Sequence, residues 1–571
     1  MKRCECSQHG RGKKTAVSCN TLGGITLIYG EKPWLKFYHN IIAEFPTVEN
    51  ISLTELLQQS VNDHAFKTAI TFYDKTWSYK DVYTISEKFA ASIHSLQFKK
   101  GDRLAVMLPN SPHYIFSLFS TLRLGGIAVQ VNPMYVEREI EHILNDSGAE
   151  YMVVHDKLYE RVKQVQSQTN LKHIIVVNLD GEKIELADGD FHFDECIDRE
   201  APPPPHVNIT PDEDVAILQY TGGTTGVSKG VMLTHRNLIA NTEQLHDFMF
   251  KAIDKPDNPK IMGVLPMFHI FGLTFNVFLG LKAGCNIIIL PRFDVKEVLE
   301  TVKREKPFHF SGVPTMYIAL NNHLEFEKYG FDKVPYYYSG GSSMPVEQLN
   351  LFEKRTGGIF CEGYGLSETS PTTHYNPPFQ ERKAGSVGIP VPGLEVKVVQ
   401  EKEDGYAEVP VGEVGELIVK GPQVMKGYWN RQEDTNEVLK DGWLFTGDMA
   451  RMDEDGYFYI VDRKKDVIIA SGYNIYPREI EEVLYQHHAI QEVVVVGVPD
   501  SYRGETVKAF VKLKDGETTT AEDILLYAKQ HLAAYKMPKF LEFRKELPKS
   551  AVGKLLKREL RAEKELQTVH S

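Results

Sequence analysis

A glycine-rich segment at residues 220–230 is the part of the sequence whose residue types most clearly suggest chemistry; it reads Tyr-Thr-Gly-Gly-Thr-Thr-Gly-Val-Ser-Lys-Gly. It follows residues 215–219, a short apolar run that is typical of a buried strand. Glycines let backbone N–H groups approach a ligand closely, and successive N–H groups curved around one point bind anions. With its hydroxyl groups and lysine, the segment predicts a polyphosphate site formed by Thr221, Gly222, Gly223, Thr224, Thr225, Gly226 and Lys229. The spacing differs from that of a Walker P-loop, and the competing interpretation is a flexible surface turn.

Three further residues have an ordinary structural interpretation when each is taken alone. His269 is a lone histidine in apolar surroundings, which is most often a core residue with satisfied hydrogen bonds. Asp448 follows a glycine and could cap a turn. Lys554 lies in a basic C-terminal stretch and could be a solvated charge.

The glycine-rich segment and the residues 233–237 that follow it, Leu-Thr-His-Arg-Asn, resemble the phosphate loop of the adenylate-forming superfamily. This superfamily comprises acyl-CoA synthetases, luciferases and the adenylation domains of peptide synthetases. The resemblance covers residues 51–560, and residues 457–477 are similar to the fatty-acyl-CoA synthetase branch, of the bacterial long-chain fatty-acid–CoA ligase type. It implies that Thr221 and Lys229 bind ATP phosphates, and that Thr221 also acts in catalysis and in Mg²⁺ binding.

Residues 363–369, Gly-Tyr-Gly-Leu-Ser-Glu-Thr, resemble the adenine and magnesium motif of the same superfamily. The resemblance implies that Tyr364 and Gly365 border the adenine, with the Tyr364 ring stacked on the base. Ser367 would donate to phosphate oxygens; many family members have threonine here, and serine keeps the hydroxyl group. Glu368 supplies the hard oxygen ligand that suits Mg²⁺ bound to phosphates, so it is the expected metal ligand and a catalytic residue.

Two segments are similar to the acyl site of the family. Residues 266–286 contain His269, which matches a catalytic-site histidine that lines the acyl pocket, and they contain no Asp or Glu that could pair with a substrate ammonium group. An apolar tail is therefore favoured over an amino acid. Gly340 and Gly341 lie in a glycine loop that borders the adenine and acyl sites in the family.

The C-terminal part of the chain carries the remaining family positions. By resemblance, Asp448 accepts hydrogen bonds from the ribose hydroxyls, and Arg463 contacts ribose or phosphate. Lys465 matches the hinge about which a small domain rotates. Gly472 matches a glycine that lets the pantetheine arm of CoA reach the active site, and Lys554 matches the catalytic lysine that orients the acid and the α-phosphate.

Composition and charge bound the class of protein. A chain of 571 residues with 42% hydrophobic residues can form two or more domains. The formal net charge of −12 argues against a nucleic-acid-binding protein. The 6 cysteines show no spacing typical of disulfides or of a zinc site, which indicates a reducing, cytoplasmic compartment. No apolar stretch predicts a transmembrane segment, while peripheral membrane contact and a homodimer are left open.

The elements that must position these residues alternate between strands and helices. Apolar periodicity predicts a strand at 103–108 and helices at 137–147, 295–305 and 477–485. Such alternation is typical of a parallel sheet with helices on both faces. Short strands and Gly/Pro turns at 385–420 predict a smaller β-rich subdomain.

We therefore expect an α/β protein in which doubly wound subdomains and a β-rich subdomain form a large N-terminal domain at residues 31–461. A charged break at 462–465 is the expected hinge, and residues 466–571 are expected to form a small, mobile α+β domain. Residues 1–30 differ from the rest and are expected to be a disordered extension.

The expected reaction uses ATP and Mg²⁺ to convert a medium- to long-chain fatty acid into an acyl-adenylate, which then forms a thioester with coenzyme A and releases AMP. One alternative is a coumarate-like aryl-acid CoA ligase. An alternative of another class is a luciferase-type monooxygenase. The acyl chain length is left open because it depends on the depth of a tunnel.

Overall fold

The computed structural model describes residues 29–181, 183–221, 228–403, 405–500, 502–550 and 553–561, and the backbone of a strand pair at Thr21–Leu22 and Ile25–Thr26. Two large, mainly parallel sheets are followed by a β-rich sheet and a small α+β unit. The α/β fold class is therefore as expected. Most of the predicted extension at residues 1–30 lies outside the described residues, and Tyr29 at its end is buried.

The first sheet carries the strands on either side of the glycine-rich segment. Its strands, in spatial order, are Gly427–Tyr428, Lys229–Thr234, Val215–Thr221, Ile127–Gln130, Arg103–Met107, Tyr151–His155, His173–Val177 and Phe191–His192. The central strands pair in parallel and are apolar along most of their length, because helices cover both faces of the sheet.

The second sheet ends at the adenine-motif strand and two short antiparallel strands. Its strands, in spatial order, are Ile389–Pro390, Thr372–Tyr375, Ile359–Gly365, Tyr336–Ser339, His309–Gly312, Lys260–Gly263, Asn286–Ile289, Thr68–Phe72 and Lys75–Ser78. Strands Tyr336–Ser339 and Ile359–Gly365 are parallel neighbours, so their following loops lie side by side.

Helices pack on these sheets. Their bounds are Leu53–His64, Tyr79–Ser95, Pro112–Arg123, Glu137–Ser147, Tyr159–Gln166, Phe193–Asp198, His235–His246, Ile270–Gly272, Leu279–Lys282, Val295–Glu305, Pro314–Asn321, Val346–Thr356 and Gln432–Val438. None of the helices in the described ranges has the length and apolar character needed to span a bilayer.

The β-rich sheet connects the large sheets to the small unit. Its strands are Gly405–Glu408, Glu395–Lys402, Gly415–Lys420, Trp443–Met452, Leu439–Lys440 and Phe458–Arg463. Strand Phe458–Arg463 pairs with Trp443–Met452 and runs into a 3₁₀ turn, Lys464–Asp466, at the predicted hinge.

The small unit has a hydrophobic core of its own. Strands Tyr473–Ile475, Ile468–Ala470, Gly504–Leu513, Ile490–Asp500 and Phe540–Phe543 form its sheet, and helices Pro477–Tyr485 and Ala521–His531 pack on it. Ile480, Leu484 and Ile524 are fully buried in this core. A separate core is what a unit that moves as a rigid body requires.

Candidate active site

The strands that flank the glycine-rich segment form a hairpin. Val215–Thr221 pairs antiparallel with Lys229–Thr234, and Thr221 stands opposite Lys229, so two predicted phosphate ligands lie side by side. His142 Nε2 lies 3.0 Å from the carbonyl oxygen of Ser228 and supports the returning chain. Outside the described residues lie Gly222, Gly223, Thr224, Thr225 and Gly226, whose roles stay predictions.

A chain of polar contacts joins the base of this loop to the magnesium motif. Lys229 Nζ lies 2.5 Å from Asp434 Oδ1 and 5.3 Å from the centre of the Tyr428 ring. The Tyr428 hydroxyl donates to Glu368 Oε1 at 2.8 Å. Glu368 lies in the 3₁₀ turn Ser367–Thr369, which also carries Ser367. The predicted phosphate and metal ligands therefore lie in one connected cluster.

The predicted ribose ligand is a buried carboxylate that two predicted site residues contact. Asp448 is 4% exposed. Its Oδ2 accepts the Tyr364 hydroxyl at 2.5 Å, and its Oδ1 lies 3.2 Å from Arg463 Nε. Burial and the Asp448 charge raise the pKa of Tyr364 well above its usual value, so this hydroxyl stays a donor. A carboxylate oxygen accepts more than one hydrogen bond, so Asp448 can also accept ribose hydroxyls.

Two glycines bring the adenine and acyl motifs together. A Cβ atom at Gly340 would lie 3.3 Å from the Phe271 ring and 3.5 Å from the carbonyl oxygen of Gly363. Gly341 follows it at the exposed end of the same loop. At Gly365 a Cβ would lie 1.9 Å from the carbonyl oxygen of Pro371, so no larger residue fits there.

The predicted acyl-site histidine caps a short helix. His269 Nδ1 accepts the N–H of Phe271 at 3.2 Å, at the start of helix Ile270–Gly272. The loop before the helix is tied to strand Val215–Thr221, because the Gln219 side chain donates to the carbonyl oxygen of Phe268 at 3.1 Å. Burial and the positive charge of Lys554 lower the pKa of His269 to about 4, so the ring is neutral at neutral pH.

Lys554 lies at this same site although it is close to the end of the chain. Its loop is held by Ser550, whose N–H donates to the Lys554 carbonyl oxygen at 2.8 Å and whose Oγ accepts the Lys554 N–H at 3.1 Å. The preceding Gly553 has φ +77°, and a Cβ there would lie 2.5 Å from Thr315 Oγ1 of the large unit. The charge of Arg463 and then burial lower the pKa of Lys554 to about 8. The structure therefore brings Lys554, Arg463 and His269 together.

The predicted hinge residue, Lys465, and the glycine predicted to border the pantetheine path, Gly472, both lie at the surface, outside the cluster around Lys554. Lys465 is exposed in the turn Lys464–Asp466. Gly472 has φ +81°, lies at the exposed tip of a hairpin, and a Cβ there would have no heavy atom within 4 Å. In this arrangement Lys554 faces the site, whereas Gly472 does not line an enclosed passage.

Two residues that contact the predicted ligands were missed by the sequence interpretation. Tyr428 contacts Glu368, and Asp434 contacts Lys229, although Asp434 lies 205 positions after Lys229. No local spacing signals such a contact. The Gly-Tyr-Trp run at 427–429 is the one local feature that could have drawn attention to this region.

Comparison with known proteins explains the clustering. The sequence profile of the family described as AMP-binding enzyme matches residues 57–429, and that of the AMP-binding enzyme C-terminal domain matches residues 479–554. The chain belongs to the AMP-binding enzyme family. The superfamily expected from the motifs is thereby confirmed, and the relatives that follow confirm the branch.

Relatives within the AMP-binding enzyme family match over nearly their whole length. A Long-chain-fatty-acid--CoA ligase of Bacillus subtilis (strain 168) is 45% identical over 560 residues, covering 95% of this chain and 99% of the relative. One of Salmonella typhimurium (strain LT2) is 40% identical over 559 residues, covering 93% and 98%.

A solved AMP-binding enzyme has the same fold. The crystal structure of an anthranilate CoA ligase in complex with anthranoyl-AMP has a TM-score of 0.85 and 26% identity, and the match covers 92% of this chain and 99% of the other. The similarity therefore includes both the large and the small unit.

Proposed function

We propose that this protein is a fatty-acid–CoA ligase that uses ATP to activate a medium- to long-chain fatty acid and releases AMP and pyrophosphate. The observation that carries the proposal is that the loop with Lys554 packs against Thr315 of the large unit, where the Lys554 charge acts on His269 and the charges of Arg463 and Asp448 act on Lys554. The names of the 45% and 40% identical relatives support the fatty-acid substrate.

In the first half-reaction a fatty-acid carboxylate oxygen attacks the α-phosphorus of ATP. A new O–P bond forms, the bond from the α-phosphorus to the bridging oxygen of the β-phosphate breaks, and pyrophosphate leaves with the electron pair. Negative charge accumulates around the α-phosphorus, so fixed cations stabilise the transition state. Lys554 neutralises the α-phosphate and carboxylate oxygens, while Thr221, Thr224, Thr225 and Lys229 bind the β- and γ-phosphates.

Mg²⁺ fits the donor set around Glu368. The described residues hold no cluster of three His, Cys, Asp or Glu side chains that could bind a metal by itself. Mg²⁺ commonly uses one or two carboxylates together with phosphate oxygens and water. Tyr428 hydrogen-bonds Oε1 of Glu368, and the Glu368 carboxylate and the Thr221 hydroxyl are the groups that would hold the ion. The bound ion would supply further neutralisation of phosphate charge.

In the second half-reaction the CoA thiol gives up its proton to water, and the thiolate sulfur attacks the acyl carbonyl carbon. The C–S bond forms, the C–O bond to the phosphate of AMP breaks, and AMP leaves. No protein nucleophile takes part. The small domain, residues 466–571, rotates about Lys465. Lys554 then leaves the reaction centre, the hairpin that carries Gly472 takes its place, and the pantetheine path opens.

The acyl tail binds beside the His269 segment. This segment lacks acidic residues, and Phe271 and Phe275 pack edge to face with ring centres 4.7 Å apart. The neutral His269 ring adds no charge beside the tail. An aryl-acid substrate is the second candidate, because a Probable 4-coumarate--CoA ligase 1 of Dictyostelium discoideum is 33% identical over 551 residues.

The test is a panel of acids assayed for nucleotide products with and without CoA. Fatty acids should give AMP and pyrophosphate, with AMP release faster when CoA is present. ADP as the product, or faster pyrophosphate exchange with phenylalanine or coumarate than with octanoate and palmitate, would contradict the proposal. Peripheral membrane contact is tested by co-sedimentation with lipid vesicles, and a homodimer is tested by light scattering.

A further inference from the structure

The carboxylate of Asp462 lies where the large and small units meet. Asp462 belongs to strand Phe458–Arg463, where it pairs with Met449 in the β-rich sheet of the large unit. It is 7% exposed, and it is the first residue of the expected hinge at 462–465, three positions before Lys465. Its backbone is therefore fixed to the large unit.

Asp462 Oδ1 accepts the N–H of the adjacent Arg463 at 2.8 Å, and two further groups that the carboxylate contacts come from beyond the hinge. Oδ2 accepts the N–H of Arg478 at 3.0 Å, in the first turn of helix Pro477–Tyr485. Tyr476, which occupies the N-cap position of that helix, makes no side-chain capping hydrogen bond. Oδ1 lies 3.8 Å from Lys557 Nζ. Asp462 thus performs, from the large unit, the capping role that the helix's own N-cap residue does not perform.

Lys557 connects this contact to the catalytic lysine. It follows Lys554 by three positions, and its Nζ lies 3.1 Å from Glu481 Oε1. Glu481 lies on helix Pro477–Tyr485 and accepts the N–H of Val495 at 2.8 Å, so the Lys557–Glu481 pair lies wholly within the small unit. The contact from Lys557 to Asp462, in contrast, crosses the hinge.

We propose that Asp462 is a positioning residue that holds the small unit in the arrangement that places Lys554 at the reaction centre. The proposal rests on the proposed function and on rotation about Lys465. Rotation would carry Arg478 and Lys557 away from Asp462, whereas the Lys557–Glu481 pair would move as one piece. Asp462 therefore stabilises the adenylating arrangement selectively.

The test compares Asp462→Ala with Glu481→Gln in the full chain. In Asp462→Ala, acid-dependent pyrophosphate exchange should fall by about tenfold, because a helix cap and a buried ion pair are lost together. The KM for ATP should stay within about threefold, because Asp462→Ala removes no group that binds ATP and lowers the rate only by misplacing Lys554. Release of AMP from synthetic acyl-AMP and CoA should be unchanged or faster. In Glu481→Gln any loss should fall on both half-reactions equally.

Limited trypsin digestion gives a readout that does not depend on catalysis. Lys464 and Lys465 are exposed at the hinge. Asp462→Ala should speed cleavage there while the melting temperature shows that the large unit remains folded, and Glu481→Gln should not. Equal loss of both half-reactions with unchanged hinge cleavage would overturn the role of Asp462. If the wild-type protein formed no acyl-AMP, and trypsin still cleaved Asp462→Ala faster than the wild type at the hinge, the proposed function alone would be refuted.

Discussion

The protonation of Lys554 is set by the charges of its neighbours. The Arg463 guanidinium lowers its pKa most, burial lowers it further, and the carboxylates of Asp448 and Asp466 oppose both effects. The resulting pKa of about 8 leaves the side chain largely cationic at neutral pH. The cation is the form that can neutralise phosphate, so pH should control the first half-reaction through this residue.

Adenylation should weaken as pH rises through about 8, because the fraction of Lys554 that carries a proton falls there. The measurement is kcat/KM for pyrophosphate exchange against pH, which reports the free enzyme. Arg463→Gln removes the charge that lowers the pKa most, so its alkaline limb should move to higher pH. A limb that stays in place in this variant would show that another group titrates.

Asp448→Ala should weaken ATP binding more than fatty-acid binding. The loss of charge-assisted hydrogen bonds from the ribose hydroxyls costs roughly 1.5–3 kcal/mol, which corresponds to a rise in KM for ATP of about tenfold or more. The KM for the fatty acid is the internal control. Unchanged KM for ATP together with unchanged kcat would remove Asp448 from the ribose site.

Residue chemistry could be predicted further than residue contacts. Residue type and the surrounding motif are enough to predict the chemistry of three groups: the carboxylate of Glu368 and the ammonium groups of Lys229 and Lys554. Their partners do not: Asp434 contacts Lys229 across 205 positions, and only the fold determines that distance. The pKa of Lys554 likewise depends on Arg463, which reaches it only through the arrangement of the two units.

At the scale of elements, the site depends on strand ends that approach other backbone segments closely. Strand Ile359–Gly365 ends where its last glycine touches the chain at Pro371. Between these two contacting positions the chain reverses direction in the turn Ser367–Thr369, which carries Glu368. A side chain at Gly365 would push two backbone segments apart.

Gly365→Ala should destabilise the large unit by about 3 kcal/mol or more, because the new Cβ overlaps backbone that cannot move away like a flexible side chain. Gly30→Ala is the matched control, since a Cβ at Gly30 meets nothing within 4 Å. Urea unfolding measures both. Equal midpoints for the two variants would show that the Pro371 segment relaxes freely.

Helices could be predicted better than strand pairing. The expected bounds 137–147, 295–305 and 477–485 are those of helices Glu137–Ser147, Val295–Glu305 and Pro477–Tyr485, because apolar periodicity, acidic first turns and an initial proline are local signals. Strand Thr68–Phe72, in contrast, pairs with Asn286–Ile289. That neighbour is set by packing far along the chain and leaves no local signal.

At the scale of the whole molecule, the two half-reactions should separate by mutation. Lys554→Ala should abolish acyl-AMP formation and largely spare thioester formation from supplied acyl-AMP. Gly472→Leu should do the reverse, because a bulky side chain blocks pantetheine. Pyrophosphate exchange measures the first half, and AMP release from synthetic acyl-AMP and CoA measures the second.

Gly472→Ala separates blockage from strain. The φ of +81° at Gly472 disfavours any side chain, at a cost of roughly 1–2 kcal/mol for alanine and leucine alike. Because only leucine is also bulky, only leucine should impair thioester formation strongly. Lys465→Pro should also spare adenylation and impair the second half, since proline fixes φ at the hinge. Equal loss of both halves in Lys554→Ala and Gly472→Leu would favour one static site.

At the proposed phosphate site, the contact between Lys229 and Asp434 should favour anions of high charge over monovalent anions. Any anion that binds Lys229 must displace a carboxylate that already lies 2.5 Å away. Chloride or acetate offers the ammonium no more charge than Asp434 does, whereas a triphosphate offers several charges along one chain. Monovalent anions should therefore compete poorly with ATP. Because one ionic contact replaces another, ATP affinity should also vary less with ionic strength than the formal charge of the nucleotide suggests.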